Sequence, residues 1–176
     1  MSARGALIGM LLGAAVALAG CGWAPLYADR ETGPADADLR AIKVSPMPER
    51  VGKRLAMALR ESLNPDGAPS QQRYRIDSLL TVSRSDLGIQ STGLGSRGKI
   101  DATVTFWLRD IKTNAQLLLS TVHTAESFDI VANEYASVVA EEDARIRAVE
   151  ELRRDIIARL TLFFQRRAAE SGPKIP

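Results

Sequence analysis

The stretch IDATVTFWLRDIKTNAQLLLSTVHTAESF, residues 100–128, decides the fold. Ile100, Ala102, Val104, Phe106 and Leu108 alternate with Asp101, Thr103, Thr105, Trp107 and Arg109. Successive side chains of a strand point to opposite faces, so this period of two predicts a strand with one apolar side. Residues 110–114 supply turn chemistry, and residues 115–128, rich in Leu, Thr and Val, predict the returning strand. Residues 73–87 alternate in the same way. Tyr74, Ile76, Ser78, Leu80 and Val82 fall on one face, with Arg73, Arg75, Asp77 and Thr81 opposite. A glycine-rich loop, residues 88–98, joins this strand to the next. Three such strands predict an antiparallel meander with a single core face.

Working outward, residues 39–44 (LRAIKV) predict a short strand, stopped by Pro46 and Pro48. A helix follows from about Glu49. Val51, Leu55, Ala58, Leu59 and Leu63 recur at helical spacing, with Arg50, Lys53, Arg54 and Arg60 on the other side. Asn64-Pro65-Asp66-Gly67 ends it. From Asn133, a candidate N-cap, to about Arg167 the pattern is helical again. Its apolar stripe is Tyr135, Val138, Val139, Ile146, Val149, Leu152, Ile156, Leu160 and Phe163. Such a helix spans about 50 Å at 1.5 Å per residue. The order β-α-β-β-β-α predicts an α+β two-layer sandwich, with two helices packed on a four-stranded, mostly antiparallel sheet.

The N-terminus has another character. Arg4 precedes an uncharged apolar run ending at Leu18-Ala19-Gly20-Cys21, the layout of a secretory signal. The run is roughly 14 residues, short of the roughly 20 that a membrane span needs. LAGC resembles the lipobox of bacterial lipoproteins. That resemblance implies a signal peptide over residues 1–20, cleavage before Cys21 and acylation of Cys21. Gly22 follows where an aspartate would retain a lipoprotein at the inner membrane, so the implied address is the outer membrane. Residues 21–38 read as a lipidated tether, residues 39–169 as the domain and residues 170–176 as a flexible tail. Trp23, Leu26 and Tyr27 are the apolar exceptions within the tether.

Composition excludes several function classes. The formal charge is +2 at pH 7, which gives no polyanion signature and points away from nucleic acid. Cys21 is the sole cysteine, which removes disulfides, CxxC motifs and a cysteine nucleophile from the domain. A triad or histidine-based metal site would have to be built on His123, the only histidine, and it lies in a strand pattern as a half-exposed sheet residue. Glu141-Glu142-Asp143 reads as a solvated helix face paired with Arg145 and Arg147. GLGSRGK, residues 93–99, lacks P-loop spacing and leads into a strand. No catalytic, cofactor-binding or metal residue is therefore assigned, and no enzyme is expected. Arg97 and Lys99 remain as two cations beside the glycine-rich loop, with Arg84 expected nearby.

Residues 102–122 (ATVTFWLRDIKTNAQLLLSTV) and 127–160 (SFDIVANEYASVVAEEDARIRAVEELRRDIIARL) resemble the LptE family of lipopolysaccharide-assembly lipoproteins in its alphaproteobacterial form. Phe128, Asn133, Tyr135, Ala136, Ala140, Glu141, Asp143, Ala144, Arg145 and Ala148 carry most of the likeness, and CGWAPLY, residues 21–27, resembles the opening of such chains. The resemblance implies a lipid-anchored outer-membrane subunit that plugs an LptD-type β-barrel, assists its assembly and helps deliver lipopolysaccharide. On that reading, Arg97 and Lys99 are candidate contacts to lipopolysaccharide phosphates, and Thr103, Thr105, Arg109, Ser120 and Thr124 face a wet lumen. A generic periplasm-facing lipoprotein adaptor, serving an ABC lipid transporter or a secretin, shares the anchor and the domain.

Overall fold

The structure, a computed structural model, describes residues 34–68, 71–89 and 95–171. The expectations for the signal segment, Cys21 and most of the tether lie outside the described residues. Within them the elements run α1 (Pro34–Arg40), β1 (Ile42–Val44), α2 (Arg50–Leu63), β2 (Tyr74–Ile89), β3 (Gly95–Asp110), β4 (Gln116–Asp129) and α3 (Glu134–Ser171).

The sheet order is β1-β2-β3-β4, with β1 parallel to β2 and the other pairs antiparallel. The two-layer α+β sandwich and its strand count follow the sequence expectation. Even-numbered residues of β2 and β3 face the helices: Tyr74, Ile76, Ala102, Val104, Phe106 and Leu108 are buried there against Leu55, Leu59, Leu152, Ile156 and Leu160.

Four boundaries differ from the expectation. The chain is already helical from Pro34, where the tether was expected, because Asp36 and Arg40 pair one turn apart at 2.9 Å and Leu39 packs on the core. The first strand shrinks to three residues. The glycine-rich segment is strand at both ends, since β2 runs to Ile89 and β3 begins at Gly95. Helix α3 continues through Ser171, past the expected tail boundary.

Two glycines explain local geometry. The ring of Phe128 lies over Gly98, its partner in register, so closely that a Cβ there would sit 2.2 Å from Cζ. Gly52 lets Met47 close over the start of α2, which Glu49 enters with φ 62°.

Helix α3 departs most from the sequence reading. Ala144, Ala148, Leu152, Ile156, Leu160 and Phe164 are all buried, each four residues after the last. At 3.6 residues per turn, each step moves the buried line about 40° around the helix, roughly 200° in all. The early turns therefore bury a side against Ile100 and Phe128, while the last turns bury another side, where Phe164 meets Tyr74 at 5.1 Å. Tyr135, Val138, Val139 and Ile146, expected in the buried stripe, are exposed instead, Tyr135 to 78%.

Candidate functional site

Odd-numbered residues of β2 and β3, with those of β4 from Leu119 on, form the sheet face opposite the helices, while Leu117 packs on the core. Their register gives rows across that face. At the end nearest the β2–β3 turn, Arg97 stands between Leu87 and Asp129, and Lys99 stands between Ser85 and Ser127. The two expected cations are thus held on a strand, two residues apart and on the same side, rather than on a loop. Arg97 Nε lies 3.6 Å from Asp129 Oδ1, and Lys99 Nζ lies 2.9 Å from Asp101 Oδ2. Arg84 does not join them. It lies on the helix-facing side, donating to Glu141 at 2.8 Å with its guanidinium 5.5 Å above the Phe128 ring.

His123 occupies the open face opposite Thr103, half-exposed, with Nε2 3.6 Å from Asp101 Oδ1. The acidic cluster does more than cover a solvated face. Glu142 receives Arg50 and Arg54 from the start of α2 as well as Arg145, and Glu141 receives Arg84 and Arg145. The expected pairings with Arg145 and Arg147 are present, and beyond them Glu141 and Glu142 tie α3 to the sheet and to α2.

Two of the residues expected to face a lumen point the other way. Thr124 is buried on the helix side, and Ser120 Oγ accepts from Arg159 of α3 at 2.6 Å. Even positions of β4 face the core, as Val122 and Phe128 show, so Leu119, Thr121 and His123 hold the open face in their place. Thr105 and Thr121 lie side by side there, hydroxyl to hydroxyl at 3.1 Å. At the end away from the β2–β3 turn, Arg75 faces Arg109, and Trp107 faces Asp77 on one side and Leu119 on the other. Leu79 and Leu119 are 64% and 58% exposed. The alternating pattern already held the β2 and β3 members of this group, but only the register shows that two arginines meet.

Polar groups beside α1 are engaged. A cleft between α1 and residues 64–73 is lined by Asp38, Arg40, Asn64, Asp66 and Arg73. Arg40 is held by Asp36 and Asp66, and Asp36 raises its pKa above the ordinary arginine value. Tyr74 donates to Asp38 at 3.1 Å, and burial pushes its phenol above the usual range. Among the described residues no three metal-ligating side chains cluster, and no helix is long and apolar enough to cross a membrane.

No curated protein sequence matches the chain. Among solved structures, a lipoprotein from Caulobacter crescentus CB15 is similar with a TM-score of 0.62 at 20% identity, covering 74% of this chain and 96% of that one. A minor lipoprotein from Acinetobacter baumannii gives a TM-score of 0.53 at 18% identity, over 69% of this chain and 88% of that one. Lipoprotein B from Nitrosomonas europaea gives 0.53 at 14% identity, over 76% and 88%. At these identities the likeness is one of fold. Residues 39–160 match the family described as LptE, lipopolysaccharide-assembly, which spans both the meander and most of α3. The chain belongs to the LptE family of lipopolysaccharide-assembly proteins.

Proposed function

We propose that this protein is the lipid-anchored subunit of an outer-membrane lipopolysaccharide translocon, seated as a plug in an LptD-type β-barrel. The family match over residues 39–160 carries the reading. The open sheet face supports it, because its threonines and paired charges suit the hydrophilic lining of a barrel lumen. Cys21, by its lipobox, would hold the chain at the membrane through acyl chains, and the mass of the mature N-terminal peptide reads that modification directly.

Arg97 and Lys99 are the proposed contacts to lipopolysaccharide phosphates. Their present partners, Asp129 and Asp101, make surface ion pairs of about 0–1 kcal/mol, which a doubly charged phosphate can displace. No catalytic role is proposed, since delivery of a lipid through a barrel makes and breaks no covalent bond.

Depletion of the protein tests the assembly role. It should admit large apolar antibiotics through a defective outer leaflet, and unchanged permeability would refute the reading. The double variant Arg97→Glu, Lys99→Glu should bind lipopolysaccharide several-fold more weakly with an unchanged melting curve. Equal binding would remove the site and leave the family role standing.

A further inference from the structure

The fold half-buries four of the described arginines: Arg75, Arg109, Arg145 and Arg153. Arg75 holds Asp77, Arg145 holds Glu141 and Arg153 holds Glu150. Arg109 has no acceptor among the described residues, and its Nε is buried without a hydrogen bond. A buried donor left unpaired costs more than an ordinary hydrogen bond contributes, and more again when the group is charged. Asp77, diagonally across from Arg109 on this face, does not serve as its acceptor. Asp77 instead accepts from Arg75 at 3.0 Å through Oδ2 and from Ser45 at 2.6 Å through Oδ1.

Register makes the position worse for the isolated domain. Arg109 lies directly opposite Arg75, and like charges opposed across strands destabilise a sheet. The register with β4 shifts between Leu108 and Arg109, so Arg109 pairs with Gln116 and Leu117 of β4 is the extra residue beside it. Two local rules are thus broken at one residue, as happens at functional or strained positions. Beside it on the same face run Trp107, Leu79 and Leu119, with the hydroxyls of Thr105 and Thr121.

We propose that the open sheet face around Arg109 is a protein-docking surface whose occupant presents a carboxylate to the Arg75–Arg109 pair. Tryptophan and arginine beside aliphatic residues on a flat face form the composition of a protein interface, whereas small ligands are held in concave sites. A carboxylate matches the guanidinium fork, supplies the acceptor that Arg109 lacks and neutralises the facing charges. The choice of partner rests on the proposed function: the occupant is the inner wall of the LptD-type barrel, meeting this face with an acidic side chain.

The experiment co-expresses the full chain with the affinity-tagged LptD-type barrel of the same organism and measures the chain retained after detergent extraction. Wild type should be retained, and Arg109→Glu should lower retention at least tenfold. Met57→Ser, on the exposed side of α2, should leave retention unchanged. The isolated Arg109→Glu chain should melt no lower than wild type, because a glutamate opposite Arg75 replaces repulsion with attraction. Arg109→Met, which keeps the aliphatic stem and removes the charge, should lose retention in the same way and serves if the glutamate variant does not fold. Equal retention of wild type and both Arg109 variants overturns the docking surface alone. Absence of a wild-type complex overturns the surface and the translocon reading together. Intact barrel retention with lost binding to lipid A vesicles or inorganic phosphate assigns the pair to phosphate and overturns a protein occupant.

Discussion

Adding one methyl group at Gly98 should destabilise the domain by about 2 kcal/mol. A Cβ built on Gly98 lies 2.2, 2.6 and 2.8 Å from Cζ, Cε1 and Cε2 of Phe128. Carbon atoms rest at about 3.5–4.0 Å, so the ring would have to retreat by roughly 1.3 Å or more. It has little room. Phe128 is 5% exposed and packs with Ile100 and Ala144, while the Arg84 guanidinium stands 5.5 Å over the ring. Overpacking of this kind costs about 1–3 kcal/mol. The upper limit is set by ejecting the ring, which forfeits about 3–5 kcal/mol, the range for deleting a buried aromatic. A urea titration reads the effect as a midpoint lower by about 1 M, given slopes of about 1–3 kcal/mol/M. Shrinking the ring supplies the control. In Gly98→Ala with Phe128→Leu the two costs should fall short of their sum by about 1 kcal/mol, the coupling expected of touching residues. A midpoint unchanged in Gly98→Ala, or strict additivity in the double variant, would show that the ring does not fix this position.

Two further outcomes test the turn after β3 and the unusual period of α3. Asp110 Oδ1 accepts the backbone N–H of Lys112 at 2.9 Å and of Thr113 at 3.0 Å, and these bonds hold its carboxyl below the ordinary range. Its folded pKa is depressed, so its contribution is present above the unfolded carboxylate value, near 3.9, and is lost as pH falls through the folded value. Asp110→Ala should therefore lower the melting temperature at neutral pH and converge on wild type as pH falls through the depressed folded value, and a pH-independent difference would refute this. On α3, Val138→Lys should change stability by less than about 0.5 kcal/mol, whereas Ala148→Leu should cost about 1–3 kcal/mol. The reverse ranking in thermal melts would mean that the helix buries the face predicted by a 3.6-residue stripe.

The meander was legible because each of its strands has one wet and one dry side, which writes period two into the sequence. Period alone does not say where a strand stops. Gly88 and Gly95–Gly98 read as loop chemistry, yet Gly98 is strand because Phe128 needs a residue without Cβ beneath it, a demand made by a residue thirty positions away. In the same way residues 34–38 looked like tether and Leu39–Arg40 like the start of a strand, since this helix is held by Leu39 against the core and by a pair of charges rather than by an apolar stripe. The candidate site was half legible. Alternation put Trp107 and Arg109 on one side of β3 correctly, whereas Arg97 and Lys99, read as cations beside a loop, proved to continue that side of the strand. The parity of β4 was misread at Ser120 and Thr124, because serine and threonine are polar in sequence but sit comfortably at a helix-facing position when small or hydrogen-bonded. That Arg75 opposes Arg109 depends on register, which no single strand contains.

The same separation of near and distant determinants explains how stability is distributed along the domain. The main apolar cluster joins β1, α2, the first half of β2 and the latter half of α3, so the end carrying Arg109 is deeply anchored. The end carrying Arg97 and Lys99 rests on a cluster with three buried members among the described residues, Ile100, Phe128 and Ala144. What it lacks in burial it makes up in cross-links: Glu141 to Arg84, and Glu142 to Arg50 and Arg54, which clamp α3 across the sheet and α2. Ion pairs of this exposure contribute about 0–1 kcal/mol each, far less than a comparable number of buried leucines. Local opening of that end therefore costs less than unfolding the whole, and elements that engage ligands are drawn from such low-stability regions. On the proposed function, this distribution would give a plug one rigid end to seat against a barrel and a softer end, carrying Arg97 and Lys99, to meet a lipid whose phosphates arrive in many poses.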